Sequence, residues 1–165
     1  MDIRAIPPGT ACLIDANIFI YHLSGCSEDC TSVLRRVARD EVDAFVTTIV
    51  IAEVLHRRMV GEAIEKGFVS QSQALKKLKA EPALISSLSA YIEDVEKLLL
   101  LPLRIIEVSA ADIRASHQMR RKHRLLVNDS INLACMGRLG LADIVTHDRD
   151  FERVPGLRVW SPADV

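Results

Sequence analysis

The chain has 165 residues, 49% of them hydrophobic and 26% charged, with a net charge of −1. That size fits one domain, and the composition excludes a disordered or fibrous chain. No apolar run reaches the ~18 residues that a bilayer crossing requires, and Asp2, Pro7, Pro8 and Asp15 interrupt any leader-like core near the start. A cytoplasmic protein without a membrane partner is expected.

Taken in chain order, Ala11–Ile14 is a short apolar run ending at Asp15 and predicts a buried first strand. Ile18–Leu23 predicts the start of a helix, and Cys30–Arg39, with apolar residues at 33, 34, 37 and 38, another. Ala44–Thr47 reads as the second strand, followed by a helix over Ile49–Lys66. Ser70 with Gln73 has the spacing of a capping box and predicts a helix toward Lys79. Pro82 suits the first turn of a further helix that runs to about Leu100, before Pro102. The segment Ala83–Leu100 is rich in apolar residues and reads either as core cover or as a partner or homodimer surface.

Leu103–Val108 predicts the third strand, and Ser109 with Asp112 caps a helix through the basic segment Arg114–Arg124. Asp129–Leu139 reads as helix with Gly140 as its stop, Asp143–Thr146 as the fourth strand and Leu157–Trp160 as the fifth, at an edge. Strands alternate with helices throughout. The pattern calls for a three-layer α/β/α fold around a mainly parallel, roughly five-stranded sheet, a single domain over 1–165 with an extended helical middle at about 61–101.

Four cysteines fit a reducing compartment. His22, Cys26 and Cys30 are spaced by four, but Ser24–Gly25 interrupts a helix there and no fourth ligand follows, so a zinc site is not expected. Arg120, Arg121, Lys122 and Arg124 form the densest cationic cluster. It reads first as a solvated helix face and second as a surface that contacts RNA phosphates. Aromatic residues are only 4% of the chain, which argues against base stacking as the main mode of recognition.

Acidic residues carry the functional signal. Ligand sites in open parallel sheets lie beyond the carboxyl ends of the strands. Asp15 follows strand one, Asp148 lies two residues past strand four, Glu53 sits in the helix after strand two, and Asp129 opens the helix before strand four. Like charges about 4 Å apart repel by about 4 kcal/mol at an effective dielectric near 20, so a cluster of them needs protons or a cation. An all-oxygen set suits Mg²⁺ or Mn²⁺, and such an ion serves phosphodiester hydrolysis. Each acid alone has a plainer reading as a turn or cap residue, and the residues by themselves reach only an acidic metal site.

LIDANIFIYHL (13–23), TTIVIAEVL (47–55) and NDSINLACMGRLGLADIVTHDRDF (128–151) together resemble the PIN-domain family. Within it they look like the VapC-type branch, ribonuclease toxins of bacterial and archaeal toxin–antitoxin pairs. The last block is the most specific. The resemblance implies metal-binding acids at Asp15, Glu53, Asp129 and Asp148, an accessory acid at Asp150, and supporting polar groups at Asn17 and Thr146. It further implies an RNA substrate and a small antitoxin partner. Two departures stand out: Val50 occupies a place where many relatives carry a hydroxyl, and the middle of the chain is longer than in compact toxins. Two other functions compete. One is a PIN-like module that binds RNA or protein without cutting. The other is a phosphatase with a strand-end nucleophile, which would want a second acid where Asn17 stands.

Overall fold

The structure, a computed structural model, describes residues 1–165. Five strands form one sheet: β1 (Ala11–Ile14), β2 (Asp43–Thr47), β3 (Arg104–Ile106), β4 (Asp143–Val145) and β5 (Arg158–Trp160). Their order is β3-β2-β1-β4-β5 and every pairing is parallel. Helices α1 (Ala16–Leu23) and α2 (Glu28–Ala38) connect β1 to β2. The longest crossover, from β2 to β3, carries α3 (Thr48–Glu65), α4 (Ala74–Ala80) and α5 (Ala90–Leu99). Helices α6 (Ala110–His123) and α7 (Val127–Leu139) lead from β3 to β4.

Side chains alternate across the strands, so each strand feeds two cores. Cys12, Ile14, Ala44 and Val46 pack on one face with residues of α1, α2, α3 and α5. Leu13, Ile106 and Ile144 pack on the other with Ile131, Cys135 and Met136 of α7. This is the expected three-layer arrangement. The order of strands reverses at β1, where the chain first moves outward to β3 and then returns to β4 on the opposite side. The crevice beyond the carboxyl ends of β1 and β4 is therefore the switch point where such sheets receive ligands.

Several helix boundaries differ from the sequence expectation, each for a local reason. Helix α1 begins at Ala16, two residues early, because the Asp15 carboxylate caps it. Helix α2 begins at Glu28 because Ser27 accepts from the Cys30 amide. Asp129 is the third residue of α7, whose first is Val127, and so lies in its first turn. Ser109 and Asp112 form the full capping box that was expected, whereas Ser70 makes no cap bond. Residues Gln71–Gln73 wind instead as a short 3-10 turn, and α4 starts only at Ala74.

The single helix expected from Pro82 to Leu100 is broken. A 3-10 segment covers Pro82–Ser87, Leu88 is extended, and α5 follows. The cause lies in α3, where the Glu62 carboxylate accepts from the backbone amides of Ser89 (3.1 Å) and Tyr91 (2.9 Å). Glu62 thus supplies the N-terminal cap that Ser89 does not, and Leu88 turns into a small satellite core with Ala63, Val69, Ala74 and Leu78. Lys66 compensates its charge at 2.7 Å. The middle therefore serves largely as core cover: Val95 and Leu98 of α5 join the main core, while Ile92 and Leu100 remain exposed. Glu62→Ala would remove the partner of two part-buried amides, and a loss of about 1–2 kcal/mol is expected. Urea unfolding measures it, and a midpoint equal to wild type would contradict this role.

Candidate active site

Asp15 is the final residue before α1 and is 7% exposed. Its Oδ1 accepts from the Ala16 amide at 2.8 Å. Its Oδ2 accepts from Asn17 Nδ2 at 2.7 Å and from the Thr146 hydroxyl at 2.7 Å. Thr146 follows β4 directly and is fully buried. Its oxygen in turn accepts from Asn17 Nδ2 (3.0 Å) and from the Asp148 amide (3.0 Å), while Asn17 Oδ1 accepts from the His147 amide (3.1 Å). The ends of the two central strands are in this way laced into one closed network, which fixes where both Asp15 and Asp148 stand. Asp148 caps the 3-10 turn Arg149–Arg153 by accepting from the Asp150 amide at 2.8 Å.

Glu53 lies in the second turn of α3. That helix is capped by Thr47, which accepts from the Val50 amide and donates its own hydroxyl to Asn132 Oδ1 at 2.7 Å. This buried bond ties the start of α3 to α7, the helix that carries Asp129. Glu53 itself receives Asn128 Nδ2 at 3.2 Å and has Arg57 at 3.7 Å. Val50 is buried in the main core, so a hydroxyl at that position would face apolar neighbours.

The repulsion felt at Asp129 registers the other four acids nearby. Burial pushes the Asp129 carboxyl up to about 6, and the charges of Asp15, Asp148, Glu53 and Asp150 push in the same direction. Burial is also the main reason that Asp15 rises above the usual carboxylate range. Its bonds from Thr146 and Ala16 oppose that rise, and Glu53 and Asp148 add to it. Asp129 and Asp15 thus both feel Glu53 and Asp148, as groups around one crevice do.

The donor set is all oxygen and carries more negative charge than its cations offset, which fits a hard divalent ion such as Mg²⁺ or Mn²⁺. The side chains are not gathered as a finished coordination shell, since no three His, Cys, Asp or Glu groups surround a single point. Three of the acids are engaged elsewhere: Asp15 by its network, Glu53 by Asn128 and Arg57, and Asp150 by Arg153 at 2.7 Å.

Among the basic residues singled out in the sequence, Arg121 and Lys122 line an open groove along α6 with Arg114, His117 and Gln118, and none of the five acids borders it. Arg120 donates to Ser116 at 3.3 Å on its own helix. Arg124 reaches the acids indirectly, through its carbonyl, which accepts from Arg153. Of the trio His22, Cys26 and Cys30, His22 Nδ1 pairs with the Thr31 hydroxyl, Cys26 donates to the Tyr21 carbonyl, and Cys30 is buried in the main core.

Sequence reasoning missed Asn128, Asn132 and the pairing of Arg57 with Glu53. A signal existed for the two asparagines, which flank Asp129 four residues apart at the head of an otherwise apolar helix. Asn132→Ala would leave the buried Thr47 hydroxyl without its acceptor and loosen α3 from α7. The expected cost is about 1–2 kcal/mol, read as a lower urea midpoint, and an unchanged midpoint would deny the tie.

Comparison with known proteins agrees with the geometry. The PIN domain family model matches residues 12–157. The chain is 26% identical over 145 residues to a protein of Methanocaldococcus jannaschii named Ribonuclease VapC2, covering 88% of this chain and 89% of that one. Among solved structures, it resembles a chain of the VapBC2 complex from Rickettsia felis bound to a DNA fragment from its promoter, with a TM-score of 0.56, 18% identity and coverage of 93% and 99%. It also resembles a chain of a toxin–antitoxin complex from Klebsiella pneumoniae, again at 0.56, with 22% identity and coverage of 94% and 100%. With a match that runs from within β1 to just before β5 and includes all five acids, the chain belongs to the PIN domain family.

Proposed function

We propose that this protein is a divalent-metal-dependent endoribonuclease, a VapC-like toxin that hydrolyses RNA phosphodiester bonds in the cytoplasm and is held in check by a protein antitoxin. The observation that carries the reading is the common field of Asp15, Glu53, Asp129, Asp148 and Asp150 at the switch point of the sheet. The name of the Methanocaldococcus relative and the complexes in which the structural neighbours occur support the substrate and the partner. No helix is long and apolar enough to cross a membrane.

Asp15, Glu53, Asp129 and Asp148 would hold Mg²⁺ or Mn²⁺, with Asp150 as an accessory acid. When bound, the ion supplies Lewis-acid polarisation of a phosphoryl oxygen and makes water more acidic. The chain supplies the rest. The network through Asn17 and Thr146 holds Asp15 in one orientation, so little reorganisation accompanies the reaction. One carboxylate of the set would take the proton from attacking water.

Chelation tests this reading. Cleavage of single-stranded RNA by the purified protein is expected to stop in excess EDTA and to return with Mg²⁺ or Mn²⁺. Cleavage that continues unchanged in chelator would overturn it.

A further inference from the structure

Arg57 stands between the acids and a second feature of the surface. One side of it faces Glu53, one helical turn earlier on α3, with Nη1 to Oε1 at 3.7 Å. The other side lines an open cleft of about 470 Å³ between α3 and residues 71–76, bordered also by His56, Gln71, Gln73 and Lys76, with Ile20 of α1. Arg58 and Glu65 of the cleft are already matched: Arg58 is held by Glu65 at 3.0 Å and by Asp94 at 2.8 Å. Lys76 forms no ion pair, so the unspent charge of the cleft is positive. Polar amides and a free cation suit a nucleic-acid backbone better than an apolar protein segment.

We propose that this cleft carries the RNA strand toward the acids, and that Arg57 exchanges Glu53 for a backbone phosphate as the strand enters. The proposal rests on the ribonuclease reading and adds its regulation. An exposed pair at 3.7 Å is beyond hydrogen-bond length and weak. A phosphate offers the guanidinium a bidentate, charge-assisted partner in its place. Glu53, then left with Asn128 alone, is free to turn toward the ion. Substrate in the cleft and the presence of Glu53 among the ion ligands are in this way linked. Arg57 is a positioning residue here, acting on the ion through Glu53.

Two variants of exposed residues separate the steps. In calorimetric titration with Mn²⁺ and no RNA, Arg57→Gln is expected to tighten binding by about threefold, the scale of one exposed ion pair, and Lys76→Glu to leave it unchanged. In fluorescence anisotropy with a single-stranded oligouridylate in chelator at low salt, both variants are expected to bind several-fold more weakly than wild type. Mn²⁺ affinity that Arg57→Gln leaves unchanged or weakens would overturn the exchange. RNA binding that Lys76→Glu leaves intact, or that wild type lacks, would overturn the cleft as its track, and a cleft reserved for a protein segment gives that result. Failure of wild type to bind Mn²⁺ at all would instead strike the metal reading beneath, and this proposal with it.

Discussion

Asp15→Asn is expected to reduce RNA cleavage by about a thousandfold or more, equivalent to ~4 kcal/mol of barrier, while the protein stays folded. Asp15 is the most constrained acid, with three donors on its two oxygens. The amide keeps the size of the side chain but removes the charge an ion would need. It also turns a donor toward Asn17 Nδ2 or the Thr146 hydroxyl, so its loss of activity comes with a small loss of stability. Asp129→Asn should behave differently. No hydrogen bond within the protein holds that carboxylate, and burial among other acids disfavours its charge. Its variant should lose cleavage to a similar degree yet be more stable than wild type in chelator. Multiple-turnover cleavage assays and thermal melts on the two proteins check this pair of outcomes. Full activity in either variant would remove that residue from the site.

The second large effect is on stability against pH in the absence of divalent ions. Asp129 moves from an ordinary 3.8 up to about 6 on folding. The folded state therefore binds the proton more tightly, and the gain is full below about 4 and lost as pH rises through about 6. Glu62 and Asp112 have the opposite sign. Burial opposes the Glu62 shift but Lys66 and the amides of α5 outweigh it, holding its carboxyl down at about 2. Arg138 and the Ser109 cap hold Asp112 at about 2. Their contributions are present above about 4.5 and are lost as pH falls toward 2. The melting temperature of ion-free protein should consequently peak between about pH 4.5 and 6. Asp129 is partly exposed, so after screening its share of the fall above pH 6 is ~1–2 kcal/mol, or about 3–6 °C. Mg²⁺ should raise the melting temperature more at pH 7.5 than at pH 5, because only the ionised acids bind it. A melting temperature in chelator that climbs steadily from pH 5 to 8 would contradict the crowding of charge around Asp129.

Much of this was legible from the chain itself. β1 is an apolar run ended by Asp15, and Asp148 lies three residues past β4; in a parallel sheet the end of a strand is also the edge of a ligand crevice, so both acids could be assigned to that edge from pattern alone. The capping box at Ser109 was legible because both of its partners lie within three residues. What escaped was non-local. Nothing near Leu88 and Ser89 breaks a helix; the break comes from Glu62, whose carboxylate lies more than twenty residues earlier in the chain. Ser70 has the right spacing for a cap, yet the chain winds too tightly after it for the bond to form. Asn132 looks like a stray polar group in an apolar helix until Thr47 is seen to donate to it across the layers. Arg57 reads as one of two adjacent surface cations until its pairing with Glu53 is visible. The family resemblance supplied the grouping of the acids, and the structure added the bonds that orient them.

If separate stretches of the chain build one acidic centre for a divalent ion, a crystal soaked in Mn²⁺ reveals it through the anomalous signal of the metal. A peak is expected in the crevice beyond β1 and β4, at about 2.0–2.3 Å from carboxylate oxygens that include Asp15 and Asp129. Wild-type crystals with ordered acids and no peak among them, or with Mn²⁺ held only at another surface, would contradict it.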